Sequence, residues 1–488
     1  MLAIDEIRLA VARETSEETK ADLGQYMTPY VTADFLASLF DFEKFQNCKL
    51  LDPGAGIGSL TIAFLRKMAS RTKHMRNVQV TACEIDSRMR AQLEENLSSP
   101  ERALASAQIV EGDFIETAVE WLQFVPNKRF THAIINPPYK KISSSSRHRK
   151  LLRAVDIETV NLYSAFVALA LELLLPHGEL VAIIPRSFCN GPYYKPFREL
   201  LFSCSAIRQI HLYHSRTQMF KDDQVLQENI IIKLERDARQ GNVIISSSSD
   251  DSLADYTERS VPFSEIVYSS DLEKFIHIPV SDASSEVTSS ALVCHSLEDL
   301  GLKVSTGPVV DFRVKEYLSM MPTKDSVPLL YPVHLGFDNT EWPKLNSKKS
   351  NALLVDEKIQ KLLYPMGYYC VVKRFSSKEE KRRITASVVN PDTFGDVPAL
   401  GFENHLNVFH SQKSGIPKQL AYGLAVFLNS SVVDQYFRSF NGHTQVNATD
   451  LKQMRYPNRE FLMQLGQWAI QQKKLTQEVI DSRIGGLI

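Results

Sequence analysis

Short apolar segments alternate with helical stretches between residues 46 and 235. The segments CKLLDPGA, VQVTACEID, AQIVEGDF and FTHAIINPPY end in polar, glycine or proline residues, and GELVAIIP and NIIIKLE follow later. SLTIAFLRKM, directly after the first segment, has the spacing of a helix. Strands that alternate with helices predict an α/β fold with a doubly wound, mostly parallel sheet. Ligands bind beyond the carboxyl ends of such strands, which is where the polar residues fall.

The rest of the chain has a different pattern. RDARQGNVIISSSSDDSLADYTERS is rich in Ser, Asp and Gly, and it predicts a linker over 241–262. Beyond it, Pro and Gly are frequent, and helical patterns are clear only near 416–440 and 459–482. We therefore expect a first domain over 1–240, the linker, and a second domain of mixed α/β structure over 263–488.

Composition narrows the classes of protein that fit. The 488 residues are 44% hydrophobic and 23% charged, which is typical of a folded globular chain. The net charge is −1, so local patches must attract any polyanionic partner. The sequence has neither an apolar run long enough to span a membrane nor a signal peptide, so we expect a cytoplasmic protein. The six cysteines are scattered without a CxxC pair, and no metal site is expected.

A glycine-rich turn follows the first predicted strand. Its first residues are Asp52, Pro53, Gly54, Ala55 and Gly56. Glycine lets the backbone turn sharply and approach a ligand closely. Two later strands end in carboxylates: Glu84 suits the two hydroxyls of a ribose, and Asp113 suits an adenine amino group. A tight structural turn with two surface acids is the alternative. Glu84 alone does not identify the cofactor, because dinucleotide-binding folds also have an acid at the end of the second strand.

The sequence Asn136-Pro137-Pro138-Tyr139 ends the next strand and favours S-adenosylmethionine as the cofactor. An exocyclic amine is a poor nucleophile because its lone pair is delocalised into the ring. The side-chain carbonyl of Asn136 and the main-chain carbonyl of Pro137 are two acceptors that would draw on the N–H bonds of the amine. The two prolines stiffen the loop, and Tyr139 offers a flat face on which a heterocycle stacks.

Together these motifs resemble the amino-group DNA methyltransferases of bacterial restriction–modification systems, in their gamma order. The landmarks are GQYMTP (24–29), DPGAGIG (52–58), Glu84, Asp113 and NPPY (136–139). The resemblance implies a Rossmann-like S-adenosylmethionine-dependent methyltransferase domain followed by a DNA target-recognition domain. It also implies that Thr28, the 52–58 turn, Glu84, Asp113 and Pro138 contact the cofactor.

The same resemblance implies that Asn136 and Tyr139 serve catalysis and base stacking. The family places a second aromatic residue in the loop before the last strand, where Phe220 is the candidate; packing beneath that loop is its alternative role. NPPY in this order points to adenine N6, although the cytosine N4 amine presents similar geometry. A glutamine side-chain amide of a protein, or a base amine of RNA, are alternative substrates.

Double-stranded DNA is the implied partner, and the second domain carries the candidate contacts. The cluster at 373–383 contains Lys373, Arg374, Arg382 and Arg383, which suit phosphates, unless it is simply a solvated charged surface. The amide-rich stretch 439–457, with Arg455, is a candidate base-reading loop. The sequence RHRK (147–150) is a candidate contact with the DNA backbone beside the target base; a surface loop is the alternative.

No nuclease motif is complete in the sequence. Asp392 and Glu403 have the spacing of a nuclease core, but His405 stands where its lysine is expected. We therefore expect a methyltransferase whose cognate restriction endonuclease is encoded separately.

Overall fold

The computed structural model describes residues 2–14, 27–71, 77–98, 105–213, 228–269, 271–279, 292–336, 340–376, 380–442 and 444–485. The chain divides into two compact units, Met1–Ile278 and Pro279–Ile488. Phe220 lies outside the described residues.

A nine-stranded sheet forms the centre of the first unit in the described part of the chain. Its strands are β1 (Cys48–Pro53), β2 (Val78–Glu84), β3 (Ala105–Glu111), β4 (Phe130–Ile135), β5 (Leu174–Pro185), β6 (Ser205–Tyr213), β7 (Asn229–Arg236), β8 (Val243–Ser248) and β9 (Thr257–Val261). The spatial order is β3-β2-β1-β4-β5-β7-β6-β8-β9. Strands β1 to β5 are parallel, and β7 enters antiparallel between β5 and β6.

Helices cover both faces of this sheet. In the described residues they are α1 (Leu2–Glu14), α2 (Tyr30–Ser38), α3 (Ser59–Arg71), α4 (Ser87–Leu97), α5 (Phe114–Phe124), α6 (Arg147–Arg153), α7 (Leu162–Leu173), α8 (Lys195–Cys204) and α9 (Phe263–Ile266), with short 3₁₀ turns at Arg186–Cys189 and Pro192–Tyr194. All six residues of β4 are buried, as expected for a central parallel strand covered on both sides. Ile134 packs with Phe64 of α3 on one face, and Ile135 packs with Phe166 of α7 on the other.

The predicted doubly wound, mostly parallel fold is confirmed. The strand order reverses between β1 and β4, because the chain runs outward to β3 on one side and then returns to continue on the other. Ligands of such sheets bind in the crevice at this switch point. The carboxyl ends of β1 and β4 carry Asp52 and Asn136, so the topology brings the two sequence motifs together. None of the described helices is long and apolar enough to cross a membrane.

The predicted linker over 241–262 is wrong, because that segment holds β8 and β9. Strand β8 pairs in parallel with β6, and β9 pairs antiparallel with β8. The serines of β8, Ser246, Ser247 and Ser248, are buried. Ser246 accepts a hydrogen bond from the amide of Gln209 at 3.0 Å and bonds the ring of His211 at 3.0 Å. Their polarity is satisfied inside the fold, so it does not mark a solvent-exposed segment.

The second unit contains two smaller sheets in its described residues. Its strands are β10 (Lys303–Thr306), β11 (Leu318–Ser319), β12 (Ser326–Leu330), β13 (Ala352–Leu354), β14 (Leu363–Pro365), β15 (Tyr369–Lys373), β16 (Ala386–Val389), β17 (Ala399–Phe402) and β18 (Leu406–His410). They form the orders β10-β18-β15-β16 and β11-β13-β12-β17-β14.

Six helices of the described chain complete this unit. They are α10 (Glu357–Gln360), α11 (Lys418–Leu428), α12 (Ser431–Phe440), α13 (Ala448–Gln453), α14 (Arg459–Gln471) and α15 (Gln477–Gly485), with 3₁₀ turns at Asp311–Arg313, Lys315–Tyr317, Pro332–His334 and Pro391–Thr393. Each predicted helical stretch is thus two helices; the first is interrupted at Ser430, whose hydroxyl caps α12. Helices α11 and α14 cross at Gly423 and Gly466, where a Cβ would lie within 2 Å of a backbone carbonyl oxygen of the other helix.

Candidate active site

A cavity of about 490 Å³ lies at the carboxyl end of the parallel strands in the first unit. Eight residues predicted from the sequence line it: Thr28, Gly54, Ala55, Gly56, Glu84, Asp113, Asn136 and Pro138. Segments as far apart in the chain as those of Thr28 and Pro138 therefore meet around one space. Asp52, Pro53, Pro137 and Tyr139 adjoin these residues in the chain without lining the cavity.

The glycine-rich turn wraps one end of the cavity. Gly54 and Gly56 have φ values of +76° and +57°, a left-handed conformation that other residues adopt only with strain. The amides of Gly54 and Ala55 both donate to the carbonyl oxygen of Cys83, at 2.9 Å each. The turn is therefore held against the end of β2 and its backbone approaches the cavity closely.

Asp52 is fully buried at the end of β1. Its Oδ2 accepts a hydrogen bond from the hydroxyl of Thr61 at 2.6 Å, whereas its Oδ1 has no partner in the described structure. Burial raises the pKa of Asp52 to about 7, although the Thr61 hydrogen bond opposes the shift. The unpartnered oxygen is a buried acceptor beside the turn.

Glu84 joins the turn to the end of β2. Its Oε2 accepts from the amide of Gly56 at 2.7 Å, and its Oε1 accepts from the amide of Asp86 at 2.8 Å. The side chain is only 5% exposed, and burial raises its pKa despite the two amide hydrogen bonds. The carboxylate is thus fixed in place on the wall of the cavity, with lone pairs left to accept from a ligand.

Asp113 precedes α5 and caps it. Its Oδ1 accepts from the amides of Ile115 at 2.8 Å and Glu116 at 3.2 Å, and its Oδ2 lies 3.0 Å from Nε2 of His148. Burial alone would raise the pKa of Asp113, but the hydrogen bonds from His148 and the two amides outweigh it and lower the pKa.

His148 was not predicted as a site residue. The sequence places it in a basic cluster that suggested a DNA contact or a surface loop, whereas the structure forms helix α6 there and turns His148 into the cavity. The sequence shows only that a histidine follows NPPY in a basic segment. Nothing in the local pattern connects His148 to Asp113, which lies 35 positions earlier. Arg149, in the same cluster, is buried and bonds the carbonyl oxygen of Thr159 and the carboxylate of Glu158.

Asn136 is held from two sides. Its Nδ2 donates to the hydroxyl of Thr28 at 2.9 Å, and its Oδ1 accepts from the hydroxyl of Tyr139 at 3.2 Å. The Tyr139 hydroxyl is also 3.4 Å from the carbonyl oxygen of Ile183 on β5. The contacts with Thr28 and Tyr139 orient the amide, because they fix which edge carries Nδ2 and which carries Oδ1.

One of the predicted DNA contacts is wrong. Arg383 is 1% exposed, and its guanidinium donates to Oδ1 of Asn441 at 2.8 Å and to the hydroxyl of Ser376 at 3.1 Å. Arg382 is half-buried and donates to the carbonyl oxygen of Ser430 at 3.0 Å and to the side chain of Gln477. Arg383 is therefore not available to phosphates, whereas the DNA contact of the partly exposed Arg382 stays a prediction.

The remaining candidates in the second unit are more accessible, and their roles stay predictions. Lys373 forms an ion pair with Glu380 at 3.0 Å near the surface. Arg374 donates to the carbonyl oxygen of Asn404 at 3.1 Å and to the side chain of Gln445 at 3.3 Å, and Arg455 is half-buried.

The predicted base-reading stretch 439–457 uses several of its amides internally. The amide of Asn441 donates to Asp450, and the side chain of Asn447 caps α13. These two asparagines are therefore structural, and only the other polar side chains of the stretch are candidates for reading bases.

Comparisons with known proteins place these features in a family. The family model described as Eco57I restriction-modification methylase matches residues 59–220. The type II methyltransferase M.BsuBI of Bacillus subtilis is 50% identical, over 99% of this chain and 97% of its own length. The type II methyltransferase M.PstI of Providencia stuartii is 43% identical, over 94% and 92%.

Two solved structures are also similar. The type IIG restriction endonuclease BpuSI matches 91% of this chain and 61% of its own, with a TM-score of 0.48 and 12% identity. A modification subunit of a putative type I restriction enzyme from Vibrio vulnificus matches 57% and 63%, with a TM-score of 0.44 and 13% identity.

The predicted cofactor is confirmed as S-adenosylmethionine, and the residues present fit it. The glycine turn allows close backbone approach, the carboxylates of Glu84 and Asp113 would be acceptors for the ribose and the adenine amino group, and Ile85, Met89 and Phe114 line apolar parts of the wall. The two type II methyltransferases are similar to this chain over almost its full length, and the chain has both the cavity and the NPPY sequence described above. The chain belongs to the type II DNA methyltransferases of restriction–modification systems.

Proposed function

We propose that this protein is a site-specific adenine-N6 DNA methyltransferase that acts on an adenine flipped out of the duplex. It would protect host DNA from a cognate restriction endonuclease encoded separately. The observation that carries the proposal is the Asn136 amide, oriented between Thr28 and Tyr139 at the edge of the cofactor cavity.

The chemistry assigned to each residue follows from this arrangement. S-adenosylmethionine supplies a methyl group on a sulfonium, which is already a strong electrophile. Asn136 Oδ1 accepts one N–H of the target amine, and the main-chain carbonyl of Pro137 accepts the other. These two bonds localise the lone pair on nitrogen and stabilise the positive charge that develops there. The aromatic face of Tyr139 stacks on the base.

Base flipping is required because an adenine N6 inside a duplex cannot reach the cavity. Extrusion costs a few kcal/mol in lost stacking and pairing. Contacts elsewhere on the DNA must offset this cost, and the second unit, with Lys373, Arg374 and Arg455, is their proposed source as the target-recognition domain. The predicted second aromatic, Phe220, would cover the other face of the base.

Adenine is favoured over cytosine by the NPPY sequence and its family order. The amide of Asn136 would serve either exocyclic amine, so the choice of base needs a direct test. The alternatives of a protein glutamine or an RNA base amine gain no support, because both close relatives are named type II methyltransferases.

The test is to express the protein in cells that lack DNA methylation and to sequence their DNA by a method that detects modified bases. The expected result is N6-methyladenine at one position of a single recognition sequence. Asn136→Ala, expressed at the same level, is the control and should leave the DNA unmodified. Modified cytosine at the recognition sequence, or modification by the Asn136→Ala variant, would contradict the proposal.

A further inference from the structure

The carboxylate of Asp113 is bonded at both of its oxygens. The amides of Ile115 and Glu116 occupy Oδ1, because Asp113 caps the first turn of α5. The other oxygen, Oδ2, is 3.0 Å from Nε2 of His148. A ligand in the cavity therefore meets an acceptor whose direction is set by His148, since Oδ2 retains one lone pair for a further hydrogen bond.

Helix α6 holds His148 in this position. The hydroxyl of Ser146 caps the helix by accepting from the amide of Arg149 at 3.3 Å. Arg149 is buried and is bonded to Thr159 and Glu158, which anchors α6 beside the cavity. His148 itself lines the cavity together with Asp113, so the imidazole stands at the cavity wall and reaches the carboxylate from a fixed helix.

We propose that His148 is a positioning residue for the adenine of the cofactor, acting by holding Asp113 Oδ2 towards the adenine amino group. The inference rests on the proposed role of Asp113 as the acceptor of that group. Without His148, the carboxylate would turn between its capping amides and solvent, and its free lone pair would not have a fixed direction.

The charges around His148 make the arrangement sensitive to pH. The hydrogen bond to Asp113 is the largest influence, and with the charges of Asp113 and Glu116 it raises the pKa of His148 above 6.5, although burial and Arg147 oppose it. Lys140 and Lys141, from the loop after β4, line the same cavity. The imidazole is charged at low pH and still donates when neutral, so the bond to Asp113 is strongest at low pH and weakens as the proton is lost.

Calorimetric titration with two probes tests the inference in the full chain. S-adenosylhomocysteine carries the adenine amino group, and its 6-deamino analogue carries a hydrogen atom in its place and cannot donate to Asp113. We expect His148→Ala to weaken binding of S-adenosylhomocysteine about five- to tenfold, the loss of about one hydrogen bond, and to leave binding of the 6-deamino analogue unchanged.

The conservative variant and a control sharpen the test. His148→Gln keeps an N–H donor without a charge, so it should match the wild type at high pH and lack the wild type's gain in affinity as the pH falls. Arg153→Gln, at the exposed end of α6, removes only an ion pair with Glu158 and should bind both probes as the wild type does.

Four outcomes overturn the inference. Equal losses for both probes in His148→Ala, or no loss for either, would mean that His148 does not act through the adenine amino group. If the affinity of His148→Gln for S-adenosylhomocysteine changes with pH as that of the wild type does, the charge of His148 is not the source of the pH dependence. Failure of the wild type to bind S-adenosylhomocysteine at all would overturn the proposed function as well, whereas the other outcomes leave it standing.

Discussion

The side-chain amide of Asn136 donates to the hydroxyl of Thr28, with 2.9 Å between Nδ2 and Oγ1 and 108 residues between them in the chain. Thr28 is buried two residues before α2 begins, and Asn136 directly follows β4. The segment before α2 thus fixes which end of the amide faces the cavity. Thr28 was predicted to contact the cofactor, and its observed bond gives it a second role in orienting the proposed catalytic acceptor.

Replacing Thr28 by Val should lower the rate of methyl transfer while preserving the fold. Valine has the same shape but cannot accept from Nδ2, so the Asn136 amide loses its preferred orientation. We expect the single-turnover rate constant of methyl transfer to fall about tenfold, the equivalent of one hydrogen bond, with little change in affinity for S-adenosylhomocysteine. Single-turnover kinetics on DNA measure the first quantity, and calorimetry measures the second. Thr28→Ser, which keeps the hydroxyl, should stay near the wild-type rate, and an equal loss in both variants would count against the orienting role.

Glu84→Ala should weaken binding of S-adenosylhomocysteine by about ten- to a hundredfold. The carboxylate is proposed to accept from the ribose hydroxyls, and it also fixes the Gly56 amide of the glycine turn. Hydrogen bonds to a charged group each contribute about 1.5–3 kcal/mol. The matched control is Glu111→Ala, because Glu111 ends the neighbouring strand but its carboxylate is 76% exposed and paired with Arg90. Similar affinities of the two variants would remove Glu84 as the ribose ligand.

Asp52 should make the first unit less stable as the pH rises. Burial raises the pKa of its carboxyl from 3.8 to about 7, so between these values the folded state holds a proton that the unfolded state has lost. The folded state is then favoured at low pH, and the free energy of unfolding falls as the pH increases across this window, by up to about 4 kcal/mol.

The variant Asp52→Asn should lose this dependence. Its amide accepts from Thr61 as the carboxyl does but does not ionise. Urea unfolding of both proteins between about pH 4 and pH 7 measures the difference, which should grow with pH in favour of the variant. Asp34→Asn, at a carboxylate paired with Lys67 near the surface, is the control. A difference between Asp52→Asn and wild type that is constant with pH would contradict the buried ionisation.

Arg383→Ala should destabilise the second unit by about 3 kcal/mol. The substitution leaves Asn441 Oδ1 and the Ser376 hydroxyl without their buried donor. Urea unfolding followed by a probe in this unit measures the effect. Lys381→Ala, two residues earlier and exposed, should leave the stability unchanged.

Measuring DNA affinity at several salt concentrations, beside urea unfolding, distinguishes residues that contact DNA from residues that stabilise the fold. Lys373→Gln should keep the stability and reduce the slope of log affinity against log salt by about 0.9 if Lys373 contacts one phosphate. An Arg383→Ala protein of wild-type stability would contradict the structural role of Arg383.

The sequence predicted the parts of the site that depend on local pattern. Each strand of the parallel sheet is an apolar segment that ends in a polar residue, so the positions of Asp52, Glu84, Asp113 and Asn136 at one edge follow from the fold class. The left-handed glycines of the turn follow from their spacing between a strand and a helix.

What the sequence did not predict depends on contacts between distant segments. The bonds of Thr28 to Asn136 and of His148 to Asp113 connect positions whose local patterns are independent. Arg383 was placed on the surface because cationic clusters usually are, and its burial depends on acceptors from α12 and beyond. The serine-rich β8 resembles a linker in sequence, because the sequence does not show whether a serine hydroxyl is hydrogen-bonded inside the fold or exposed to water.

The most direct measurement of the central claim is the chemical identity of the methylated base. Purified wild type and Asn136→Ala are incubated with duplex DNA and S-adenosylmethionine labelled in the methyl group, and the DNA is then digested to nucleosides and separated. If Asn136 activates an adenine amine, the label will elute as N6-methyldeoxyadenosine with the wild type, and Asn136→Ala will incorporate none. Label in N4-methyldeoxycytidine, or undiminished incorporation by Asn136→Ala, would contradict the account.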